Sequence, residues 1–314
     1  MARLFDPYCL ARAFAPFAGT EDPVGKHRST HRRSSNYGAR AQHFLRPHLA
    51  RDIVRRLAFE RGSTVVDIGA GRGALTSPMA DRGFRVIALE KDARLYRSLR
   101  ARFIGRTNVE CYRADALTFP LPHGRYSVVA NIPFGITAPL VRRLLASPVP
   151  PTEAWLIVQR EAAHKFAGEP RSTLFHLVHA PWFALTIERT IASDAFVPMP
   201  RVEAALLRIA PREDPWLPRR ALYAWRRFID AGMRGAGPEV QHNLRGLLTR
   251  NQMRAAARHH RFALTAAPAD LTAAQWLGLF RFYELVCVGR RGCRRLIVEA
   301  RSPMMEASRT LSPD

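Results

Sequence analysis

Five short apolar runs, at residues 64–68, 85–89, 109–112, 126–130 and 155–158, alternate with helical stretches from Arg51 onward. Runs of this length suit strands, and strands that each hand over to a helix predict βα units around a mostly parallel sheet. Two further runs, 183–187 and 204–209, follow with no long helix between them, which predicts an antiparallel pair at one edge. After Pro211 the character changes. Pro215 and Pro218 punctuate the chain, and Leu222, Trp225, Phe228 and Ile229, then Leu244, Leu247 and Leu248, then residues 271–285 have helical spacing. The expected fold class is α/β, a Rossmann-like, mostly parallel sheet with an antiparallel edge strand plus a small all-helical C-terminal domain. The expected divisions are a mobile basic arm (1–35), a ligand-binding α/β domain (36–210), a helical domain (211–288) and a basic tail (289–314).

The first run enters a glycine-rich turn, Val65-Val66-Asp67-Ile68-Gly69-Ala70-Gly71-Arg72-Gly73, with a helical stretch from Ala74. Gly69, Gly71 and Gly73 let the backbone approach a ligand closely, and such a turn can also hold a dinucleotide pyrophosphate. The next run ends in Glu90, 17 residues after Gly73, where a carboxylate can accept from both hydroxyls of a ribose. The third ends in Asp115-Ala116, a carboxylate and a backbone N–H suited to the amino group and ring nitrogen of an adenine. Singly, each acid reads equally well as a surface charge or a helix cap. In a parallel open sheet, however, four successive strand ends share one edge, and ligands bind there.

The fourth end is Asn131-Ile132-Pro133-Phe134. The exocyclic amine of adenine is a poor nucleophile because its lone pair is delocalised into the ring. Asn131 and the Ile132 carbonyl can accept hydrogen bonds from that amine, Phe134 can stack on a base swung out of its helix, and Pro133 fixes the backbone between them. The plainer alternative is a strand ending in an Asn-x-Pro turn.

Charge narrows the partner. The chain has 49 basic against 26 acidic residues, a formal net charge of +23, and its only lysines are Lys26, Lys91 and Lys165. Such an excess of arginine favours a polyanionic partner, since the guanidinium fork matches phosphate. A GC-rich codon bias accounts for much of the preference for arginine over lysine, but not for the net charge. Cys9, Cys111, Cys287 and Cys293 form no CxxC pair and no zinc-like spacing, so no metal is expected. No apolar stretch approaches the about 20 residues that span a bilayer, and the N-terminus lacks a signal-peptide pattern, so a cytoplasmic protein without membrane contact is expected.

Taken together, these residues resemble S-adenosylmethionine-dependent methyltransferases of class I. Within them the chain is similar, over about residues 36–285, to the ribosomal RNA adenine N6-methyltransferase family, Erm and its dimethyladenosine relatives. Residues 66–73 look like that family's first motif, with Glu90 and Asp115 as its ribose and adenine acids. Gln42-His43-Phe44-Leu45 looks like its Gln-Asn-Phe-Leu segment, which closes over the methionine end of the cofactor, and Asn131-Ile132-Pro133-Phe134 looks like its catalytic loop. Phe196-Val197-Pro198-Met199-Pro200-Arg201-Val202 is similar to the segment whose aromatic faces the target base from the other side. The resemblance thus implies S-adenosylmethionine as cofactor, held by Gln42, His43, Leu45, Gly69, Gly71, Gly73, Glu90, Asp115, Ala116 and Asn131. Asn131, Ile132, Pro133, Phe134 and Phe196 would act on the base.

The loop's Ile and Phe with Gly135-Ile136-Thr137 are more like the antibiotic-resistance Erm branch than the small-subunit dimethyltransferases, which favour Asn-Leu-Pro-Tyr-Asn. The implied function is methylation of one adenine of 23S rRNA by a monomer, before ribosome assembly is complete, with macrolide, lincosamide and streptogramin B resistance as the outcome. A 16S rRNA dimethyltransferase and a non-catalytic nucleic-acid-binding protein are the alternatives. His43 where asparagine is usual and Gly135 where many members have asparagine are departures.

Overall fold

The structure, a computed structural model, describes residues 43–287. The expected basic arm, Gln42 and the basic tail lie outside the described residues. In chain order the elements are β1 (Phe44–Leu45), α1 (Pro47–Arg56), β2 (Thr64–Ile68), α2 (Thr76–Asp81), β3 (Arg85–Glu90), α3 (Ala93–Arg102), β4 (Val109–Arg113), β5 (Ser127–Asn131), α4 (Thr137–Ala146) and β6 (Ala154–Gln159). Then come α5 (Arg160–Ala167), α6 (Leu174–His179), β7 (Phe183–Ile191), β8 (Phe196–Val197), β9 (Ala204–Pro211), α7 (Leu222–Arg234), α8 (Val240–Asn243), α9 (Arg250–His260) and α10 (Ala273–Cys287).

Seven strands form one sheet in the order β4-β3-β2-β5-β6-β9-β7, and β1 pairs with β8 in a separate two-stranded ribbon. The pairs β2/β3, β3/β4, β2/β5 and β5/β6 are parallel, and β6/β9 is antiparallel. Strands β5 and β6 lie mid-sheet, covered on both faces, which is why Ser127–Asn131 and Ala154–Gln159 read as nearly unbroken apolar runs. Edge strand β4 alternates instead, with Val109 and Cys111 packed against the core cluster. The chain leaves β2 for β3 on one side and returns to β5 on the other. A crevice therefore opens at the carboxyl ends of β2 and β5.

The described residues divide into two compact units. One takes those up to Ala163 together with Ala184–Pro211, and the other takes His164–Phe183 and those from Arg212 on. The sequence pattern places residues 164–183 in the α/β domain. They join the helical unit because α6 supplies a buried partner: the Trp225 indole N–H donates to the Leu177 carbonyl at 2.9 Å. Rings interlock around that bond, Trp225 edge-on to Phe280 with centroids 5.3 Å apart and Phe228 edge-on to Trp276 at 6.1 Å. Gly232 admits the Trp276 ring so closely that a Cβ there would lie 2.3 Å from it.

Two expectations for this unit need correction. Leu244 and Leu248 are buried, but they follow the four-residue α8 in a turn rather than on a helix, because apolar spacing of three to four also fits a tight turn. Helix α9 was missed. Its buried face is only Met253, Ala256 and Ala257, too weak a periodic signal among arginines, although Thr249 and Gln252 form a capping box at its start.

Candidate active site

Strand register brings the expected residues to one level. Ile68 pairs with Leu89 on one side and Ala130 on the other, and Glu90 pairs with Arg113. Gly69, Glu90 and Asn131 are therefore each one step past the same rung, and Asp115 is two residues beyond Arg113. The turn between β2 and α2 holds all three glycines at positive φ, +70° at Gly69, +57° at Gly71 and +79° at Gly73. Its start is fixed by the Gly69 and Ala70 N–H groups, which both donate to the Leu89 carbonyl, at 2.9 and 3.0 Å. Helix α2 begins at Thr76, two residues later than expected, because the intervening residues complete this turn.

Glu90 is 6% exposed. One carboxylate oxygen accepts from the Gly71 N–H at 2.9 Å and the other from the Asp92 N–H at 2.8 Å. Each oxygen keeps a lone pair, so the carboxylate can still accept from two vicinal hydroxyls. Asp115 accepts from the Lys91 ammonium at 2.9 Å and from the Leu117 N–H at 2.9 Å, and the bond from Lys91 holds its carboxyl below the ordinary carboxylate range. Sequence reasoning did not anticipate Arg143, whose guanidinium reaches from α4 to donate to the Ala116 and Phe119 carbonyls. That fork ties the loop after β4 to the helix that follows Phe134.

Asp67, also unanticipated, is buried on β2 and accepts from the Thr76 hydroxyl at 2.6 Å. Burial, reinforced by the Glu90 charge and opposed by the Thr76 bond, pushes its carboxyl up from 3.8 to about 7. A raised folded-state value means the folded protein holds a proton that the unfolded chain has lost. Its contribution to stability is complete below pH 3.8 and is lost as pH rises through about 7. Asp67→Asn, which can still accept from Thr76, removes this titration. The melting temperature of D67N relative to the parent should therefore climb between pH 5 and 8, and parallel melting profiles across that window would refute the assignment.

Asn131 is oriented by a residue 88 positions earlier in the chain: its side-chain amide donates to the His43 carbonyl at 2.9 Å. His43 also donates from Nδ1 to the Pro198 carbonyl at 2.8 Å, which fixes the ring proton on Nδ1 because a carbonyl only accepts. Its ring is stacked toward Phe134, centroids 6.1 Å apart at 29°. His43 thus joins the loop after β5 to the segment after β8, and ribbon pairing of Phe44 with Val197 and Leu45 with Phe196 supports the same junction.

Two expected residues are buried. Phe196 is 3% exposed and belongs to the same core cluster as Leu45, Leu49 and Ile53. Leu45 is buried in the same cluster. The neighbour Phe44 faces the glycine turn instead: a Cβ at Gly71 would lie 3.3 Å from its ring, and the Arg72 guanidinium lies 4.9 Å from its centroid. The reason is pleating, since adjacent strand residues point to opposite faces. In β8 and the segment after it the exposed apolar side chains are Val197, Met199 and Val202. The Ile132 side chain is buried, and its N–H donates to the Ile157 carbonyl at 3.1 Å.

These donors and acceptors fit S-adenosylmethionine. Glu90 offers a pre-positioned carboxylate to a ribose, Asp115 and the Ala116 N–H suit an adenine, and side-chain-free positions in the turn leave room beside Phe44. Strand order and this edge chemistry define a class I S-adenosylmethionine-dependent methyltransferase. Residues 32–285 match the family model described as ribosomal RNA adenine dimethylase, and the chain belongs to that family. It is 33% identical to the mycinamicin-resistance protein MyrB of Micromonospora griseorubida, over 78% of each chain. It is 30% identical to a ribosomal RNA small subunit methyltransferase A of Acaryochloris marina, over 76% of this chain and 94% of the other. Among solved structures it is similar to the 23S rRNA methyltransferase ErmE, with TM-score 0.73 and 30% identity over 77% of this chain and 99% of that one.

Proposed function

We propose that this chain, acting as a monomer, methylates N6 of one adenine in 23S rRNA and so confers macrolide, lincosamide and streptogramin B resistance. The observation that carries the reading is the Asn131 side chain, held by the His43 carbonyl at the sheet edge, one rung level with Glu90 and the glycine turn. Asn131 Oδ1 and the Ile132 carbonyl accept from the adenine amine, which turns its lone pair out of conjugation. Phe134 stacks on the extruded base, and Pro133 keeps the acceptors and the ring in fixed relation. S-adenosylmethionine, when bound, would supply an electrophilic methyl group whose sulfur departs as a neutral thioether, and the methylated amine then loses its surplus proton to water. Positioning and electrostatics therefore supply most of the rate, with little need for acid-base help. The cofactor is held by Gly69, Gly71, Gly73, Glu90, Asp115 and Ala116, with the 42–45 segment closing over it. RNA is gripped in large part by the helical unit.

Similarity to MyrB and ErmE supports the 23S branch. Similarity to small-subunit enzymes gives the second reading, a 16S rRNA adenine dimethyltransferase. Transfer of labelled methyl to protein-free large- and small-subunit rRNA, mapped by primer extension, separates them. Label at a single large-subunit adenine is expected. Label confined to small-subunit rRNA would move the assignment to the second reading, and no label on either from cofactor-loaded protein would overturn both.

A further inference from the structure

The helical unit carries a row of arginines that no acidic side chain among the described residues pairs with. Helix α9, Arg250–His260, contains Arg250, Arg254 and Arg258 at four-residue spacing and no aspartate or glutamate. All three side chains are exposed, as are Arg245 before the helix and Arg261 after it. Four-residue spacing keeps successive side chains on one face, stepping about 6 Å along the axis. Among the described residues no ion pair or side-chain hydrogen bond engages any of these five guanidinium groups.

On other arginine-rich helices at least some of the guanidinium groups are engaged. On α1, Arg55 and Arg56 lie 3.8 and 3.5 Å from Asp52. On α3, Arg97 donates to the Ala93 carbonyl at 3.2 Å and Arg102 to the Arg72 carbonyl at 2.8 Å. On α7, Arg234 pairs with Asp230 at 3.1 Å. Helix α9 is also held rigidly. The Thr249–Gln252 capping box fixes its start, Met253, Ala256 and Ala257 bury its inner face, and the Gln275 amide donates to the Arg261 carbonyl at 3.0 Å where the chain turns left-handed at φ 57°. A rigid row of unpaired like charges repels itself, a cost that a polyanion removes. The fork of each guanidinium suits phosphate oxygens, which A-form RNA presents along its backbone while its deep, narrow major groove hides the bases.

We propose that Arg250, Arg254 and Arg258, flanked by Arg245 and Arg261, form a phosphate-tracking surface that grips the backbone of the structured RNA around the target adenine. The proposal rests on the reading of ribosomal RNA as substrate and names which face of the chain holds it. The row acts on affinity and not on choice of adenine, because phosphate contacts carry no sequence information of their own.

The test uses the full chain and the triple variant R250Q/R254Q/R258Q. Glutamine keeps helix propensity close to that of arginine and removes only the charge. RNA affinity is measured from about 50 to 200 mM salt on the large-subunit rRNA that the parent methylates, and cofactor affinity is measured by calorimetry on the same samples. Loss of three phosphate contacts should lower the slope of log affinity against log salt by about 2 to 3 and weaken binding at least about tenfold near physiological salt. The deficit should fall in KM for RNA more than in kcat, with cofactor affinity unchanged and the circular dichroism spectrum retained. R55Q/R56Q, whose arginines already face Asp52, should change the slope by less than about one.

A folded triple variant with the parent's slope and KM would overturn the proposal and leave the methyltransferase reading intact. A parent that binds RNA through the row but methylates none would overturn that reading and leave the surface standing. A parent that neither binds nor methylates RNA would overturn both.

Discussion

Asn131→Ala is expected to lower the single-turnover rate of methyl transfer by at least about a hundredfold, the scale on which one pre-organised hydrogen-bonding partner acts at a reacting centre. The size follows from what the amide does at each end. Its N–H group donates to the His43 carbonyl, which settles the amide orientation and leaves Oδ1 as the acceptor for the adenine amine. Alanine removes that acceptor and leaves the Ile132 carbonyl alone to hold an amine with two protons. It also frees the His43 carbonyl, but the 43–45 segment keeps its ribbon pairing with β8 and the Pro198 bond, so cofactor affinity should fall far less than the rate. Asn131→Asp separates the two roles. It keeps an acceptor oxygen but sets a carboxylate against the His43 carbonyl, and its rate should lie between those of the parent and Asn131→Ala. The measurement is a rapid-quench assay at saturating RNA and cofactor. An Asn131→Ala protein that retains more than about a tenth of the parent rate would remove Asn131 from the proposed chemistry.

The strand ends around Asn131 were legible because chemistry and punctuation coincide there. Each apolar run stops at a glycine turn or a polar residue, and parallel pairing then sets those stops level without further information. What escaped is what depends on the phase of very short elements or on contacts between distant segments. A two-residue strand such as β8 has no alternation to reveal which side faces in, so the burial of Phe196 in the core cluster with Leu45 is not legible in the sequence, where the ring's role comes only from the resemblance. The same ambiguity of phase hid Phe44, which packs against the glycine turn. The clasp of His43 on Asn131 and Pro198 spans 88 and 155 residues and uses carbonyl oxygens, which every residue type possesses. Arg143 is one arginine among many until its fork is seen on two carbonyls, and α6 is tied to the helical unit by contacts such as the Trp225 indole bond, which spans 48 residues.

Gly73 is where the cofactor turn depends most on the absence of a side chain, and Gly73→Ala is expected to destabilise the protein by about 3 kcal/mol, against about 1 kcal/mol for Gly62→Ala. Both glycines have positive φ, +79° and +84°, so both substitutions carry the cost of placing an L-residue in the left-handed region. They differ in what the new methyl meets. At Gly62 nothing lies within 4 Å, whereas at Gly73 a Cβ would sit 2.6 Å from Cε2 of Phe103 and 3.1 Å from Cδ1 of Leu99. Phe103 and Leu99 are buried at the end of α3 and cannot swing into solvent, so relief has to come from displacement of the helix. The start of α3 follows Asp92, whose N–H supports the Glu90 carboxylate. A shift of α3 therefore loosens the ribose acceptor as well as the core. Thermal unfolding should place G73A several degrees below G62A, since about 1 kcal/mol moves the midpoint of a domain of this size by roughly 2 to 4 °C. Calorimetry should find S-adenosylmethionine affinity reduced in G73A and preserved in G62A. Equal losses of stability in the two variants would mean that backbone strain alone sets the cost and that Phe103 yields freely, which would break the proposed link between packing behind the turn and the carboxylate in front of it.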